Sequence, residues 1–287
     1  MTEPDRYIPG VPCWIDTTQP DPDAAAAFYG GLFGWELEDA MPPGFPGRYY
    51  IGRIRGGDVA AVGSQPEGEE QPATWNTYVW VADADETAAK VSAAGGTVLV
   101  EPAAVGADSG RMAMFADPAG AAFCAWEPNT HRGATVVNEH GALNFNNLNT
   151  RDVEGAASFY GAVFGWDVLD VGGAPMWALD GYGDFLEQRT PGMRENMASM
   201  GAPPRFEDVV ASINPIRDDT PAHWGVTFGV DDADAIAARA TELGGRVLVP
   251  PFDAPWVRMT IVSDPQGATF TASKFAPENK DLAGSAA

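Results

Sequence analysis

The chain has 287 residues, of which 45% are hydrophobic and 20% charged, and this composition indicates a globular rather than a disordered protein. Its 40 acidic and 17 basic side chains give a formal net charge of -23, which argues against nucleic acid and anionic membranes as partners because phosphate binding needs a basic face. No apolar run is long enough to cross a bilayer, the N-terminus lacks the pattern of a signal peptide, and two cysteines are too few for a disulfide framework. We therefore expect a soluble, cytoplasmic protein.

The first predicted elements are a strand, a helix and three further strands. The segment VPCWIDTT alternates as a strand does, and QPDPDAAAAFYGGLFG has the Ala-rich spacing of a helix, with Asp21 or Asp23 as N-cap and Gly34 as C-cap. The runs WELEDA, RYYIGRI and DVAAVGS are strand-like. A second cycle of the same kind starts at WNTYVWVAD, continues through the helix DETAAKVSAAGG and ends with TVLVEP, GRMAMFAD and AAFCAWEP.

Two sequence motifs of the first half recur in the second half of the chain. The helix segment AAAAFYGGLFGW, which ends at Trp35, returns as GAASFYGAVFGW, and DPAGAAF returns as DPQGATF, which starts at Asp264. This duplication predicts two halves, each with two β-α-β-β-β modules and an aromatic helix face that packs on a sheet. We place domain 1 at residues 8–130, domain 2 at residues 138–276 and a flexible C-terminal tail at residues 277–287.

The second half is the longer one, and its extra length falls between about Leu186 and Pro221. This stretch is rich in proline and polar residues and shows no clear period. We predict a long loop there, of a kind that is often functional in compact domains.

These motifs resemble the vicinal oxygen chelate superfamily, which includes glyoxalases, bleomycin-resistance proteins and extradiol dioxygenases. The resemblance rests on A-x-x-F-Y-x-x-x-F-G-W in the first helix of each half and D-P-x-G-x-x-F before the last strand, and it covers about Ile8 to Pro128 and Gly141 to Phe275. It is nearest to tandem actinobacterial members described as hydroxylases or glyoxalase-like proteins, some of them accessory proteins in aromatic polyketide antibiotic clusters. It implies an α+β fold of tandem domains, each with two βαβββ modules forming a curved mixed sheet with flanking helices.

The metal ligands of the superfamily's enzymes are not retained at the matching positions. Those enzymes place His, Glu or Gln on the first and last strands of a cycle, where this chain has Trp14 and Phe145, and Cys124 and Thr271. Neither ring binds a metal, and a lone thiol and a hydroxyl are poor substitutes for imidazole and carboxylate. His223 would be an isolated ligand. We expect no metal and, since no phosphate loop or dinucleotide fingerprint is present, no other cofactor.

Aromatic side chains predominate where the resemblance places the interior of the curved sheet. A tryptophan-walled cavity suits a flat aromatic ligand, and a cationic group on that ligand could gain from a cation–π contact or from Asp16. The candidate ligand-binding residues are Trp14, Asp16, Trp75, Cys124, Trp126, Phe145, Asn147, Trp177, His223, Trp224, Trp256 and Thr271. The competing interpretation is that these aromatic residues are core, as we expect of Trp35 and Trp166.

The predicted function is metal-independent binding of a hydrophobic or aromatic small molecule, such as an antibiotic or a polyketide. It would serve sequestration, resistance or assistance to a biosynthetic enzyme, which would then be a partner. The alternative is an enzyme, either metal-dependent with an unusual site or cofactor-free with Asp16, His223 or Tyr78 as acid or base. A third interpretation is that the stretch from Leu186 to Pro221 docks a partner protein. The sequence leaves open whether a cavity forms within or between the halves.

Overall fold

A computed structural model describes residues 6–65, 68, 72–217 and 219–284 of the chain. In this part of the chain the strands form two eight-stranded mixed sheets, one for each sequence repeat. Sheet 1 has the strand order β2 (Glu36–Asp39), β3 (Tyr49–Ile54), β4 (Gly57–Ser64), β1 (Pro12–Gln19), β5 (Thr74–Trp80), β8 (Ala122–Pro128), β7 (Gly110–Ala116) and β6 (Thr97–Val105). Sheet 2 has the order β10 (Trp166–Val171), β11 (Ala174–Leu179), β12 (Val209–Pro215), β9 (Leu143–Thr150), β13 (His223–Gly229), β16 (Thr269–Phe275), β15 (Val257–Ser263) and β14 (Arg246–Ala254).

Helices complete the tandem α+β architecture, which confirms the predicted fold class. The α-helices are α1 (Pro22–Phe33), α2 (Ala84–Ala93), α3 (Val153–Phe164), α4 (Tyr182–Arg189), α5 (Met193–Ser199) and α6 (Ala233–Glu242), and 3-10 helices span Phe206–Asp208 and Pro277–Gly284. Of the two predicted N-cap candidates of α1, Asp21 is the cap and Asp23 lies in the first turn. The Asp21 carboxylate accepts the backbone N–H of Ala24 at 3.0 Å, and the predicted C-cap Gly34 is left-handed with φ 72°. None of the helices within the described residues is long and apolar enough to span a membrane.

The prediction of a long loop between about Leu186 and Pro221 is wrong. The stretch contains the end of α4, all of α5, a 3-10 helix and strand β12. The sequence of α5 shows no amphipathic periodicity because this helix buries none of its side chains. Ion pairs hold the segment instead, from Arg194 to Asp184 at 2.7 Å and from Arg205 to Asp167 at 2.9 Å.

Contacts between Cα atoms divide the chain into two compact units, and each unit takes segments from both repeats. Unit A comprises the described parts of residues 14–77, 133–145 and 225–287, and unit B those of residues 1–13, 78–132 and 146–224. The sheets follow the repeats, whereas the compact units do not. The domain limits at 8–130 and 138–276 stay a prediction. Of the predicted tail, residues 277–284 form a 3-10 helix and residues 285–287 lie outside the described part.

The core of unit A is built on the aromatic face of α1. The Tyr29 ring meets the Trp75 ring edge-on with centroids 5.3 Å apart, and Trp75 meets Phe228 in the same way at 5.2 Å. Trp35 packs on Tyr29 at 5.5 Å and donates its indole N–H to the carbonyl of Gly141 at 2.8 Å. Edge-to-face and offset pairs of this kind are favourable beyond the apolar area that they bury.

Unit B repeats this arrangement around α3. Tyr160 contacts Trp166 at 5.4 Å, Trp177 at 5.4 Å and Trp224 at 5.6 Å between ring centroids. Trp224 also donates its indole N–H to the Tyr160 hydroxyl at 2.8 Å. The expectation that Trp35 and Trp166 are core residues is therefore confirmed, since they are 5% and 3% exposed.

A buried tyrosine–aspartate hydrogen bond anchors the helix in each unit. The Tyr29 hydroxyl donates to Asp264 at 2.9 Å in unit A, and the Tyr160 hydroxyl donates to Asp117 at 3.1 Å in unit B. Both aspartates open the D-P-x-G turns, and burial raises the pKa of Asp117 above its usual range. Burial, reinforced by the aspartate charge, also raises the pKa of Tyr29 and of Tyr160 well above 10.

We expect stability to fall steeply above pH 10. Burial raises the pKa of Tyr182 to about 12 and raises those of Tyr29 and Tyr160 well above 10, whereas the same hydroxyls titrate near 10 once unfolded. Each folded pKa lies above the unfolded value, so the stability that these groups contribute is complete below pH 10 and is lost as the pH rises. The loss approaches about 1.4 kcal/mol per pH unit for each such tyrosine. Urea midpoints measured from pH 8 to 11.5 check this, and a midpoint that stayed constant to pH 11.5 would contradict it.

Candidate functional site

Strand β1 carries the candidate site on the face that points away from α1. Ile15 lies in the core cluster with Phe28 and Tyr29, so alternation places its neighbours Trp14 and Asp16 on the opposite face of the sheet. Trp14 is 2% exposed and Asp16 is 4% exposed. A nearly buried carboxylate is costly unless polar partners replace water around it.

Two side chains from other strands of the sheet donate hydrogen bonds to Asp16. The Tyr49 hydroxyl donates to Oδ2 of Asp16 at 3.0 Å, and Nδ2 of Asn76 donates to Oδ1 at 2.8 Å. The indole N–H of Trp14 donates to the Tyr49 hydroxyl at 3.2 Å. Trp14, Asp16, Tyr49 and Asn76, which we call the Asp16 cluster, thus form one hydrogen-bonded group on β1, β3 and β5. All four residues belong to unit A.

Small residues on β4 make room for this group. Asp16 lies opposite Ala61 in the parallel pair of β1 and β4, and Tyr49 lies opposite Gly63 in the antiparallel pair of β3 and β4. A Cβ atom at Gly63 would stand 3.0 Å from Cδ2 of Tyr49, so any side chain there would push the ring. The next residue, Tyr50, donates its hydroxyl to Asp23 of α1 at 2.5 Å and therefore lies on the helix side. The consecutive residues Tyr49 and Tyr50 thus point to opposite faces of the sheet.

The other predicted site residues have several locations. Trp75, Trp177 and Trp224 pack in the helix-facing aromatic cores, against the helix tyrosines. We therefore leave these three out of the candidate site. Trp256 lies at the turn between β14 and β15, where it stacks on Phe275 with centroids 6.3 Å apart.

The remaining candidates lie on strands of both sheets. Cys124 and Trp126 on β8 are 1% and 5% exposed, and the indole N–H of Trp126 donates to the carbonyl of His131 at 2.9 Å. Phe145 on β9 and Thr271 on β16 are half-buried. Asn147 on β9 and His223 at the start of β13 both belong to unit B.

Tyr49 and Asn76 are the cluster members that the candidate set from the sequence lacks. The signal for Tyr49 is the pair of tyrosines in RYYIGRI, of which one must lie on each face of a strand. The signal for Asn76 is its polar amide within the otherwise apolar and aromatic run TWNTYVW. Neither signal shows which residue each side chain contacts.

The donor set at the family's metal positions does not fit a divalent ion. Trp14, Phe145, Cys124 and Thr271 occupy those positions, and two of them offer no lone pair to a metal. Among the residues that the structure describes, no group of three or more His, Cys, Asp and Glu side chains is placed to hold a metal ion.

Fold, repeat and sequence together define the class of protein. The chain matches the Glyoxalase/Bleomycin resistance protein/Dioxygenase superfamily over residues 14–125 and 142–271, and it belongs to that superfamily. It is 38% identical over 283 residues to "Putative glyoxylase CFP32" of Mycobacterium tuberculosis, which covers 97% of this chain and 100% of the relative. It is 36% identical over 283 residues to "Anthracycline biosynthesis protein DnrV" of Streptomyces peucetius, which covers 93% and 94%.

Solved structures share the fold at low sequence identity. A Mn(II)-bound glyoxalase from Novosphingobium aromaticivorans has a TM-score of 0.59 at 16% identity, covering 93% of this chain and 82% of that one. The 2,3-dioxygenase LapB from Pseudomonas sp. KL28 has a TM-score of 0.59 at 13% identity, covering 93% of both chains. At such identities the likeness concerns the fold alone, because this scaffold supports more than one chemistry.

Proposed function

We propose that the protein binds a planar aromatic small molecule at the Asp16 cluster, without a metal. The observation that carries the proposal is the hydrogen-bonded group of Trp14, Asp16, Tyr49 and Asn76 on the sheet face opposite the helix. The half-buried ring of Tyr49 offers a stacking surface, the buried ring of Trp14 holds the Tyr49 hydroxyl through its indole N–H, and the fixed polar atoms of the cluster supply orientation. Tyr49 and Asn76 are half-buried, whereas Asp16 is 4% exposed, so these two residues are the more accessible polar members of the cluster.

The negative charge of the protein restricts the class of ligand that it can bind. Asp16 is a carboxylate whose oxygens accept hydrogen bonds from two neutral donors, Tyr49 and Asn76. The whole chain carries a formal net charge of -23, so its field favours neutral or cationic ligands over anionic ones. We propose a neutral or cationic polycyclic molecule of the antibiotic or polyketide kind, and the naming of two relatives as anthracycline biosynthesis proteins supports this class. Its sequestration in the cytoplasm, or its transfer to a biosynthetic enzyme, is part of the same proposal.

The adjacent tyrosines of β3 provide a matched test. Replacement Tyr49→Phe removes the hydroxyl that joins Trp14 to Asp16, and we expect it to weaken binding of 1,8-dihydroxyanthraquinone about tenfold, since one buried hydrogen bond contributes about 1 kcal/mol or somewhat more. Tyr50→Phe is the control, because its hydroxyl lies on the helix side beside Asp23. Tryptophan fluorescence and calorimetry on the full chain measure both dissociation constants.

Two results would count against the proposal. One is the lack of saturable binding by a panel of hydroxylated and amino-substituted anthraquinones, and the other is an equal effect of Tyr49→Phe and Tyr50→Phe. Conversion of the quinone during the titration, if it disappears in Asp16→Asn, would replace binding by catalysis as the function of the cluster.

A further inference from the structure

The two sheets differ in side-chain chemistry at equivalent positions on β1 and β9. In sheet 1, Asp16 lies opposite Ala61 and Thr18 lies opposite Gly63. In sheet 2 the equivalent pairs are Asn147 opposite Ser212 and Asn149 opposite Asn214. A carboxylate, a hydroxyl and two small residues in one repeat thus correspond to three amides and a hydroxyl in the other.

These polar residues share the sheet face that points away from the helix. Leu148 on β9 and Ile213 on β12 are 0% and 3% exposed and alternate with them, so the polar side chains occupy the other face. His223, at the start of β13, joins them because Nδ2 of Asn149 contacts its carbonyl oxygen at 3.4 Å. We call this group the amide row, and it consists of Asn147, Asn149, Ser212, Asn214 and His223, all in unit B.

The hydrogen bonds at the open end of the amide row are long. Nδ2 of Asn214 donates to Oδ1 of Asn149 at 3.2 Å, and Nδ2 of Asn149 lies 3.3 Å from the carbonyl oxygen of Asn147. At the other end, Nδ2 of Asn147 donates to Ser212 at 2.5 Å. Bonds beyond 3.2 Å exceed the usual range for N–H···O, so a ligand hydroxyl could replace them at little cost.

Exposure makes these groups available to a ligand. Asn214 and His223 are exposed, and Asn149 and Ser212 are half-buried. A groove of about 380 Å³ lies at this end of β9, and its lining includes Thr150, Pro221 and the charged side chains of Arg151, Asp152 and Asp219, but no member of the amide row. Nδ1 of His223 lies 2.9 Å from the carbonyl oxygen of Pro221.

We propose that the amide row binds a neutral, polyhydroxylated ligand, namely the pyranose ring of a sugar or of a glycoside. Each asparagine offers a donor pair and an acceptor, so it can pair with a hydroxyl in both senses. Asparagine is disfavoured in strands, which makes several amides on one strand pair hard to explain by strand formation alone. Sugar binding at the row needs no charged side chain, and the row contains no carboxylate, ammonium or guanidinium group.

This inference does not depend on the proposed aromatic site, because the Asp16 cluster lies in unit A and the amide row in unit B. Each can therefore fail without the other. The sugar experiment contains no aromatic probe, and the anthraquinone titration contains no sugar, so the two failures are distinguishable.

The test titrates the isotope-labelled full chain with methyl α-D-glucopyranoside, methyl α-D-mannopyranoside and methyl α-D-galactopyranoside, each to about 50 mM, a range that covers a Kd of about 1–10 mM. We expect saturable shifts of the side-chain amide resonances of Asn149 and Asn214. At least one epimer should bind about threefold more tightly than another, since fixed amides distinguish axial from equatorial hydroxyls. Glycerol, which has hydroxyls without a ring, is the ligand control.

A double variant, Asn149→Ala with Asn214→Ala, should weaken binding of the best glycoside at least about tenfold. Asn144→Ala is the matched control, because Asn144 lies on the same strand but bonds to Asn138 at 3.0 Å, away from the row, and it should change binding less than twofold. Asn214→Ala alone, at an exposed position, provides a folded variant if the double one is unstable. Unshifted amide resonances with all three glycosides, equal effects of glycerol, or unchanged binding in the variants would each overturn the proposal.

Discussion

Replacement of Trp35 by alanine is expected to lower the free energy of unfolding by about 3–5 kcal/mol, the usual cost of removing a large buried aromatic side chain. Trp35 is 5% exposed and contacts the rings of Tyr29, Phe33 and Phe228 at centroid distances of 5.5, 5.5 and 5.8 Å. Its indole N–H also donates to the Gly141 carbonyl, so truncation would leave a buried acceptor without that donor. Urea unfolding followed by circular dichroism measures the loss.

Two further variants separate the causes. Trp35→Phe keeps an aromatic ring and loses the hydrogen bond to Gly141, so it should cost about 1–2 kcal/mol. Phe275→Ala removes a ring that is 57% exposed and should cost less than about 1 kcal/mol. If all three variants lost similar amounts, the aromatic core of unit A would not be the main source of its stability.

The second large effect is expected at Asp264, where one carboxylate satisfies four donors. Its Oδ2 atom accepts the Tyr29 hydroxyl at 2.9 Å and Nε2 of Gln19 at 2.7 Å, and its Oδ1 atom accepts the backbone N–H groups of Gln266 and Ala268, both at 2.9 Å. Three of the four bonds are buried, and each buried donor left unsatisfied costs about 1–3 kcal/mol, so Asp264→Ala should remove at least about 3 kcal/mol. This is a large part of the 5–15 kcal/mol that is typical of a folded protein.

Asp232→Ala is the matched control for Asp264→Ala. The Asp232 carboxylate also accepts two backbone N–H groups, those of Asp234 and Ala235, but it does so as the exposed N-cap of α6. Water can replace it there, and the expected cost is about 1 kcal/mol. Asp264→Asn, which keeps one oxygen acceptor, should fall between the two. Equal losses for Asp264→Ala and Asp232→Ala in urea unfolding would contradict the assigned role of Asp264.

Local features of the fold follow from the sequence because they depend on neighbouring residues. The cap residues Asp21 and Gly34 bound α1 as predicted, since an N-cap carboxylate and a left-handed glycine act within one turn of the helix. The alternation of β1 places Trp14 and Asp16 on one face for the same reason. The repeated motifs identify the superfamily because they mark elements that both halves share.

Contacts over long sequence distances are what the sequence does not determine. Tyr49 reaches Asp16 only because β3, β4 and β1 are neighbours in the sheet and Gly63 leaves space. From the sequence alone, Trp75 and Trp224 cannot be distinguished from tryptophans that line a pocket. Their contacts with the helix tyrosines place them on the helix side of the sheet. Because the two repeats are similar, a segment of one repeat could pack against segments of its own repeat or of the other. The packing free energy of the whole chain decides between these two arrangements.

The interleaved composition of unit A has a consequence for synthesis on the ribosome. The Tyr29 hydroxyl belongs to α1, and its partner Asp264 follows 235 positions later. At a translation rate of about 5–20 residues per second, Asp264 is synthesised about 10–50 s after Tyr29, and the aromatic face of α1 lacks this partner until then. During this time its rings are available to chaperones or to other nascent chains. The rate of elongation should therefore influence the yield of native protein more than it would for two domains that are each built from one continuous stretch of sequence.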